Sequence, residues 1–325
     1  MTPKPYLTIF LFLLAVIVKA QKTDTAQAIV HYKFTHVRDT TNRDKPLVEN
    51  MMLLVGNQAS AYKSYDRKMR SEQMRKNIAE QVALGTGQMK INSTAGGLGP
   101  DVEYYQYPNE KKLLVKERLV NNYVVEEKLP VLNWKISPDT ATIGGLQCQK
   151  ATTHFKGRDY TAWFCADLPY RTGPWKLQGL PGLIVEATDA KKEVIFKFDG
   201  FEKVDKSASQ AVTTAAPTGP GGRTIMFGGI DDASQNENVI ALPANAIKAT
   251  AKELNDLKEI RKKDPQAFFQ MQMASMQSQM GGRAGGNVSF NTGGNVSVSP
   301  YFSFKTTSGG GAPVVENNPI ELPEK

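Results

Sequence analysis

The chain has 325 residues, with 40 Lys and Arg against 32 Asp and Glu and a formal net charge of +8. That length suits one large domain with additions. The positive excess is mild, spread along the chain and without a Lys/Arg cluster interleaved with aromatics, so a nucleic-acid partner is not expected.

The first twenty residues read as a cleavable export signal. Lys4 gives a short positive start, Tyr6 to Val18 is apolar apart from Thr8, and Val18-Lys19-Ala20 places small residues where a signal peptidase cuts. The apolar run is shorter than the roughly 20 residues of a spanning helix. No later segment is apolar enough to span a bilayer. Gln21 is then the expected new N-terminus, and loss of Lys4 and Lys19 lowers the net charge to +6. The mature protein is expected in the periplasm or, alternatively, as a secreted protein.

From Gln21 to about Phe201, within an expected β domain of residues 21–206, the dominant period is two, which predicts strands. Val30, Tyr32 and Phe34 alternate with polar neighbours, and Leu47–Val55 and Ala59–Tyr65 follow. A helix is expected next, capped by Asp66 and stopped by Gly85, with Met74, Ile78 and Val82 on one face. Thr86 to Pro100 is Gly-rich and reads as a mobile loop. Strands resume at Val102–Tyr107, Lys111–Arg118, Asn122–Leu129, Leu146–Phe155, Arg158–Asp167, Leu183–Thr188 and Glu193–Asp199. The connections are short, so neighbours should be antiparallel. The fold class is therefore mainly β: a large twisted antiparallel sheet, closed or half-closed like a barrel, with one packed helix.

Residues 207–242 read as a linker and irregular segment. Two helices are expected over 243–280, the first from Pro243 to about Lys263 and the second opened by Asp264-Pro265. The rest, 281–325, is a low-complexity tail rich in Gly, Ser and Asn with a tandem eight-residue repeat from Gly285, and Arg283 to Gly311 within it reads as disordered.

No catalytic residue, cofactor motif or metal-ligand set stands out. His31 and His36 lie five apart on one strand and so face opposite ways. His154 faces Asp159 across a predicted hairpin turn. That pair would serve an envelope hydrolase, but pairs of this kind are more often surface hydrogen bonds. Met271, Met273, Met276 and Met280 could hold Cu(I) in an exported protein, but with Phe269 most of them also make an apolar stripe that packing alone explains.

Two local readings carry more weight. The turn Lys156-Gly157 closes a two-residue hairpin on Phe155 and Arg158, and counting outward sets Cys148 opposite Cys165. That position is non-hydrogen-bonded, with Cα atoms about 4.5 Å apart, so a disulfide is expected in an oxidising compartment. Farther on, Pro181-Gly182 fits the centre of a type II turn, with Gly182 at positive φ. Trp175, Leu177, Leu180 and Pro181 around it either fold onto the core or rim a cleft for a small apolar ligand or an envelope partner.

Cys148-Gln149-Lys150-Ala151, Ala162-Trp163-Phe164, Gly173-Pro174-Trp175-Lys176 and Gly179-Leu180-Pro181-Gly182-Leu183-Ile184 come in that order. Together they resemble the GLPGLI family of exported proteins, found mainly in Bacteroidetes. The ending Asn317-Asn318-Pro319-Ile320-Glu321 resembles longer members. The resemblance implies a Gram-negative envelope location and brings no reaction, hence no catalytic residues. The expected function is a non-enzymatic binding or accessory module for a small apolar ligand, a peptide or an envelope partner. The alternatives are an envelope hydrolase and a Met-rich Cu(I) protein.

Overall fold

The computed structural model describes residues 23–83, 100–204, 218–219, 223–224, 238–243, 245–268, 270–272, 289–291, 295–299, 302–305 and 316–324. The expected leader, most of the loop 86–100 and most of the linker lie outside these residues. So do Met273, Met276 and Met280 and most of the tail.

The strands, in chain order, are β1 (Asp24–Thr25), β2 (Ala28–His36), β3 (Leu47–Val55) and β4 (Ser60–Ser64), followed by helix α1 (Tyr65–Ala83). Then come β5 (Val102–Tyr107), β6 (Lys112–Arg118), β7 (Asn122–Lys128), β8 (Lys135–Ile143), β9 (Leu146–Phe155), β10 (Arg158–Cys165), β11 (Leu183–Asp189) and β12 (Val194–Lys203). The later elements are short: β13 (Thr218–Gly219), β14 (Arg223–Thr224), β15 (Val239–Ile240), β16 (Ile247–Lys248) and helix α2 (Ala251–Lys263). In the tail, β17 (Ser289–Asn291), β18 (Asn295–Ser299) and β19 (Phe302–Lys305) pair antiparallel.

One sheet organises the molecule. Its order is β16-β7-β6-β5-β4-β3-β2-β12-β11-β10-β9-β8, so it is open, with β16 and β8 as its edges. The pairings are antiparallel except β16 against β7, which is parallel, so the sheet is mixed rather than purely antiparallel. Alternation along the strands sorts side chains to two faces. Val30, Tyr32, Leu53, Ala162 and Phe196 build the larger core. Met52, Leu54, Ala61 and Tyr105 point to the other face, where Ile240 and Leu242 cover them.

Helix α1 starts two residues early, at Tyr65 rather than after Asp66. The Ser64 hydroxyl accepts from the Arg67 amide at 3.1 Å, while the Asp66 carboxylate is drawn sideways to the Asn50 amide and side chain at 2.8 and 3.0 Å. The expected first C-terminal helix starts later than Pro243, because Ile247 and Lys248 pair with β7 before Thr250 and Glu253 form a capping box. The second helix opens where expected: residues 265–268 are helical, and Asp264 accepts from the Ala267 amide at 2.8 Å.

Candidate functional site

Strands β10 and β11 are joined by residues 166–182, which carry most of the family-like motifs. This connection lies inside. Trp175, Leu177 and Leu180 are at most 1% exposed and belong to the larger core. Trp175 meets Phe155, Tyr160 and Phe196 at ring-centre distances of 5.5, 6.2 and 6.4 Å. Its carbonyl accepts from the Gln106 side chain at 3.0 Å. Tyr32 donates to the Ile184 carbonyl at 2.6 Å, and Trp134 to the Gln178 carbonyl at 2.9 Å. The cleft-rim reading is thus corrected: of the four residues offered for it, only Pro181 is exposed. The segment is apolar because it fills the space over the sheet, where burying a Leu or Trp contributes about 2–3 kcal/mol.

The turn is also corrected. Gly182 does not have positive φ; that conformation falls to Gly179 (φ 97°) and to Trp175 (φ 57°). Gly182 is required for space instead: a Cβ there would lie 2.2 Å from the Cys165 carbonyl oxygen. Gly173 is similarly confined, 2.7 Å from the Ile184 Cβ and 2.9 Å from the Leu177 carbonyl. The motif glycines let one backbone pass against another.

The β9–β10 register is the expected one, with Arg158 opposite Phe155 and Phe164 opposite Gln149, which sets Cys165 beside Cys148. Both cysteines are buried free thiols, so the expected disulfide is not made in this structure. The Cys148 thiol donates to the Leu146 carbonyl on its own strand at 3.4 Å. Burial, then the neighbouring Cys165, push the Cys148 thiol up to about 11.

Each histidine is engaged. His31 meets Glu202 at 3.1 Å and the edge of Tyr65. His36, on the opposite face, donates through Nε2 to the Asn318 carbonyl at 2.8 Å. Its basicity drops to about 4, chiefly through burial. His154 does face Asp159, Nδ1 to Oδ1 at 2.6 Å, but its Nε2 faces Glu324 at 3.0 Å. A hydrolytic dyad would present that second nitrogen to a nucleophile. Here both ring nitrogens face carboxylates, which raise the imidazole's basicity.

The structure adds a site that the residue patterns did not reveal. Residues 316–324 lie as a strap in a polar slot between the β2–β3 connection and the β9–β10 turn. Arg158, only 4% exposed, sits at its floor. Its Nη1 reaches Asp189 at 2.8 Å and Glu193 at 3.3 Å. Nη2 reaches the Asn318 side-chain oxygen at 2.7 Å and the Pro319 carbonyl at 2.8 Å, and Nε reaches the Ile320 carbonyl at 3.0 Å. A guanidinium has five N–H donors, and these five acceptors match them.

Asn318 is read as completely. Its Nδ2 donates to the Val37 carbonyl at 2.7 Å and to Glu193 at 3.1 Å, and its backbone amide donates to the Arg38 carbonyl at 3.0 Å. Beyond it, Glu321 bridges Lys156 at 2.9 Å and Lys176 at 2.8 Å, and Lys176 also meets Glu127 at 2.7 Å. Burial would raise the Glu321 carboxyl, but the two ammonium groups hold it below the usual range. The Leu322 amide donates to the Lys156 carbonyl at 3.0 Å.

Among the described residues no three His, Cys, Asp or Glu side chains gather as a metal site, and no helix is long and apolar enough to cross a membrane. A small pocket of about 120 Å³ by Asp24, Gln58 and Tyr107 lies apart from both the motif and the strap.

No curated protein matches the chain. Two solved structures of PNGF-II, in different crystal forms, align at 12% identity with TM-scores of 0.44 and 0.43, covering 73% and 71% of this chain. The chain spans about a third of the length of those structures (33% and 32%). The family described as "Protein of unknown function (Porph_ging)", the GLPGLI family, matches over residues 154–186, from the Arg158 hairpin through the buried Gly-Pro-Trp and Gly-Leu-Pro-Gly segments.

Proposed function

We propose that this protein is an exported, non-enzymatic binding module of the cell envelope, and that its ligand is a short polypeptide segment. The slot around Arg158 carries this reading. It already holds a polypeptide segment, bent at Asn318, Ile320 and Glu321, through three successive residues' oxygens and one carboxylate. Backbone contacts of this kind give affinity and side-chain pockets give specificity. A small apolar ligand has less support, because the apolar segment that suggested it is packed in the core.

Export is supported by the leader pattern at residues 1–20 and the family resemblance. In the envelope, a disulfide-exchange partner would take up two electrons as Cys148 and Cys165 close to a disulfide and release their protons. We expect no free thiol in protein isolated from the envelope and two in protein made in a reducing cytoplasm, counted after denaturation. Two thiols in both preparations would contradict this. The function itself is tested by native mass spectrometry of the protein isolated from its own envelope. A retained peptide or protein and a mature chain starting at Gln21 are expected. A retained small apolar molecule, or a chain with its leader intact, would overturn the reading.

A further inference from the structure

The strap's contacts run to parts of the chain more than a hundred residues away in sequence: Arg38, His36, Lys156, Arg158, Lys176 and Glu193. About forty residues separate it from the last described helical residue, Gln272. Residues 289–305 of that stretch fold back on themselves as β17–β19, and the other 26 or so, at roughly 3.3–3.6 Å per residue, reach at most on the order of 90 Å, still more than a domain's width. Its hold is polar. Ile320 is its half-buried apolar contact with the core, while Asn318, Glu321 and the backbone make the specific bonds. A segment held this way, on a tether of this length, is suited to release and rebinding.

Its recognition is selective. Asn318 donates twice through Nδ2 and accepts through Oδ1 from Arg158, so an aspartate would set a carboxylate against Glu193 and the Val37 carbonyl. Glu321 needs the two ammonium groups, and a neutral residue would leave Lys176, 4% exposed, with Glu127 alone. The slot therefore selects a segment with Asn, then Pro, then an acid two residues after the Pro. Each copy of the chain carries both the slot and one such segment.

Resting on the peptide-binding reading, we infer that the slot also takes the Asn318–Glu321 strap of a second copy of this chain, so that copies link by exchanging straps. In one copy the tether holds the strap at an effective concentration in the millimolar range. Exchange is then favoured where copies are crowded or where a copy's own strap cannot seat. Strap exchange replaces one set of bonds by an identical set, so it costs little beyond the entropy of association.

The test uses two variants. One ends at residue 315 and lacks the strap. The other is full-length with Arg158→Lys, which keeps a positive charge between Asp189 and Glu193 but lacks the fork that holds the strap. Mixed at 50 µM, they should form a one-to-one heterodimer by sedimentation, while each alone stays monomeric. Asn318→Asp in the Arg158→Lys partner should weaken the pairing at least tenfold. Should the shortened chain not fold, full-length protein cut after folding at a protease site placed at Gly309–Gly311 replaces it.

A labelled synthetic peptide of residues 316–325 separates the two claims. Peptide binding to the strapless protein without a heterodimer overturns strap exchange and leaves the peptide-binding reading standing. Binding of neither overturns both.

Discussion

Gly179 and Gly182 stand three residues apart and resist a side chain for different reasons. Gly179 has open space around it and a φ of 97°, so Gly179→Ala carries a backbone penalty of about 1–2 kcal/mol. Gly182 has no unusual φ, but a methyl group would overlap the Cys165 carbonyl and push the end of β10 away from β11. Gly182→Ala is expected to cost about 3 kcal/mol, at the upper end of overpacking losses. Denaturant titration should rank the two in that order, and equal losses would contradict the steric argument. Leu180→Ser removes a side chain that is 1% exposed and places a hydroxyl in an apolar pocket. About 3 kcal/mol of stability should go with it. A variant melting like the parent would return Leu180 to the surface and revive the cleft.

Strap and hairpin together respond to pH through two histidines of opposite sign. His36 is neutral when folded, with a pKa of about 4 against 6.5 when unfolded. The unfolded chain therefore binds the extra proton first, and stability falls as pH drops from about 6.5 to about 4, by on the order of 2 kcal/mol. His154 is raised by Asp159 and Glu324, so its contribution is complete below pH 6.5 and fades as pH climbs through its folded value. Its exposure keeps that effect small. Stability measured between pH 4 and 8 should lose its histidine-linked acid-side slope in His36→Gln, and should lose part of its alkaline slope in His154→Asn. An unchanged acid slope in His36→Gln would refute the assignment.

How far these elements could be read in advance depended on where each stabilising contact lies. Leu47–Val55, Val102–Tyr107 and Leu146–Phe155 were legible to the residue, since alternation and turn residues are local signals. The His154–Asp159 pairing and the cysteine register followed from counting out of a two-residue turn. Strand β8 was missed because Pro138 and a polar, exposed sequence hide it. The motif's burial was half legible: Trp and Leu favour a core, but no pattern says whether a connection folds inward. The strap's residues stood out only by their likeness to longer family members, and its seat on Arg158 was illegible, because Arg158 and Asn318 are 160 residues apart.

At the scale of the whole molecule, an open sheet of this size has two edges to protect. At one end β16 lies on β7 and is followed by α2, whose Leu254 and Leu257 pack there. At the other, β8 is the last strand. Among the described residues no strand pairs with its free side, where Ile136 is 48% exposed and, not far in sequence, Val131 is 88% exposed. An edge with apolar neighbours invites pairing with another copy. Here the edge is broken: the register with β9 jumps between Ile136 and Thr140, and Pro138 sits in the jump, where it offers no N–H. Lys150 reaches back to Asp139 at 3.1 Å and adds charge to the same stretch. Pro138→Thr restores a donor and a β-branched residue in the bulge without touching the core. The expected result is a midpoint of unfolding within about 0.5 kcal/mol of the parent, as for other surface substitutions, but faster aggregation at equal concentration, followed by light scattering at 37 °C. The double variant Pro138→Thr, Ile136→Lys should return to the parent's rate, because a charge at the edge opposes strand addition. Equal aggregation rates in parent and Pro138→Thr would mean that β8 is protected by something other than its broken register.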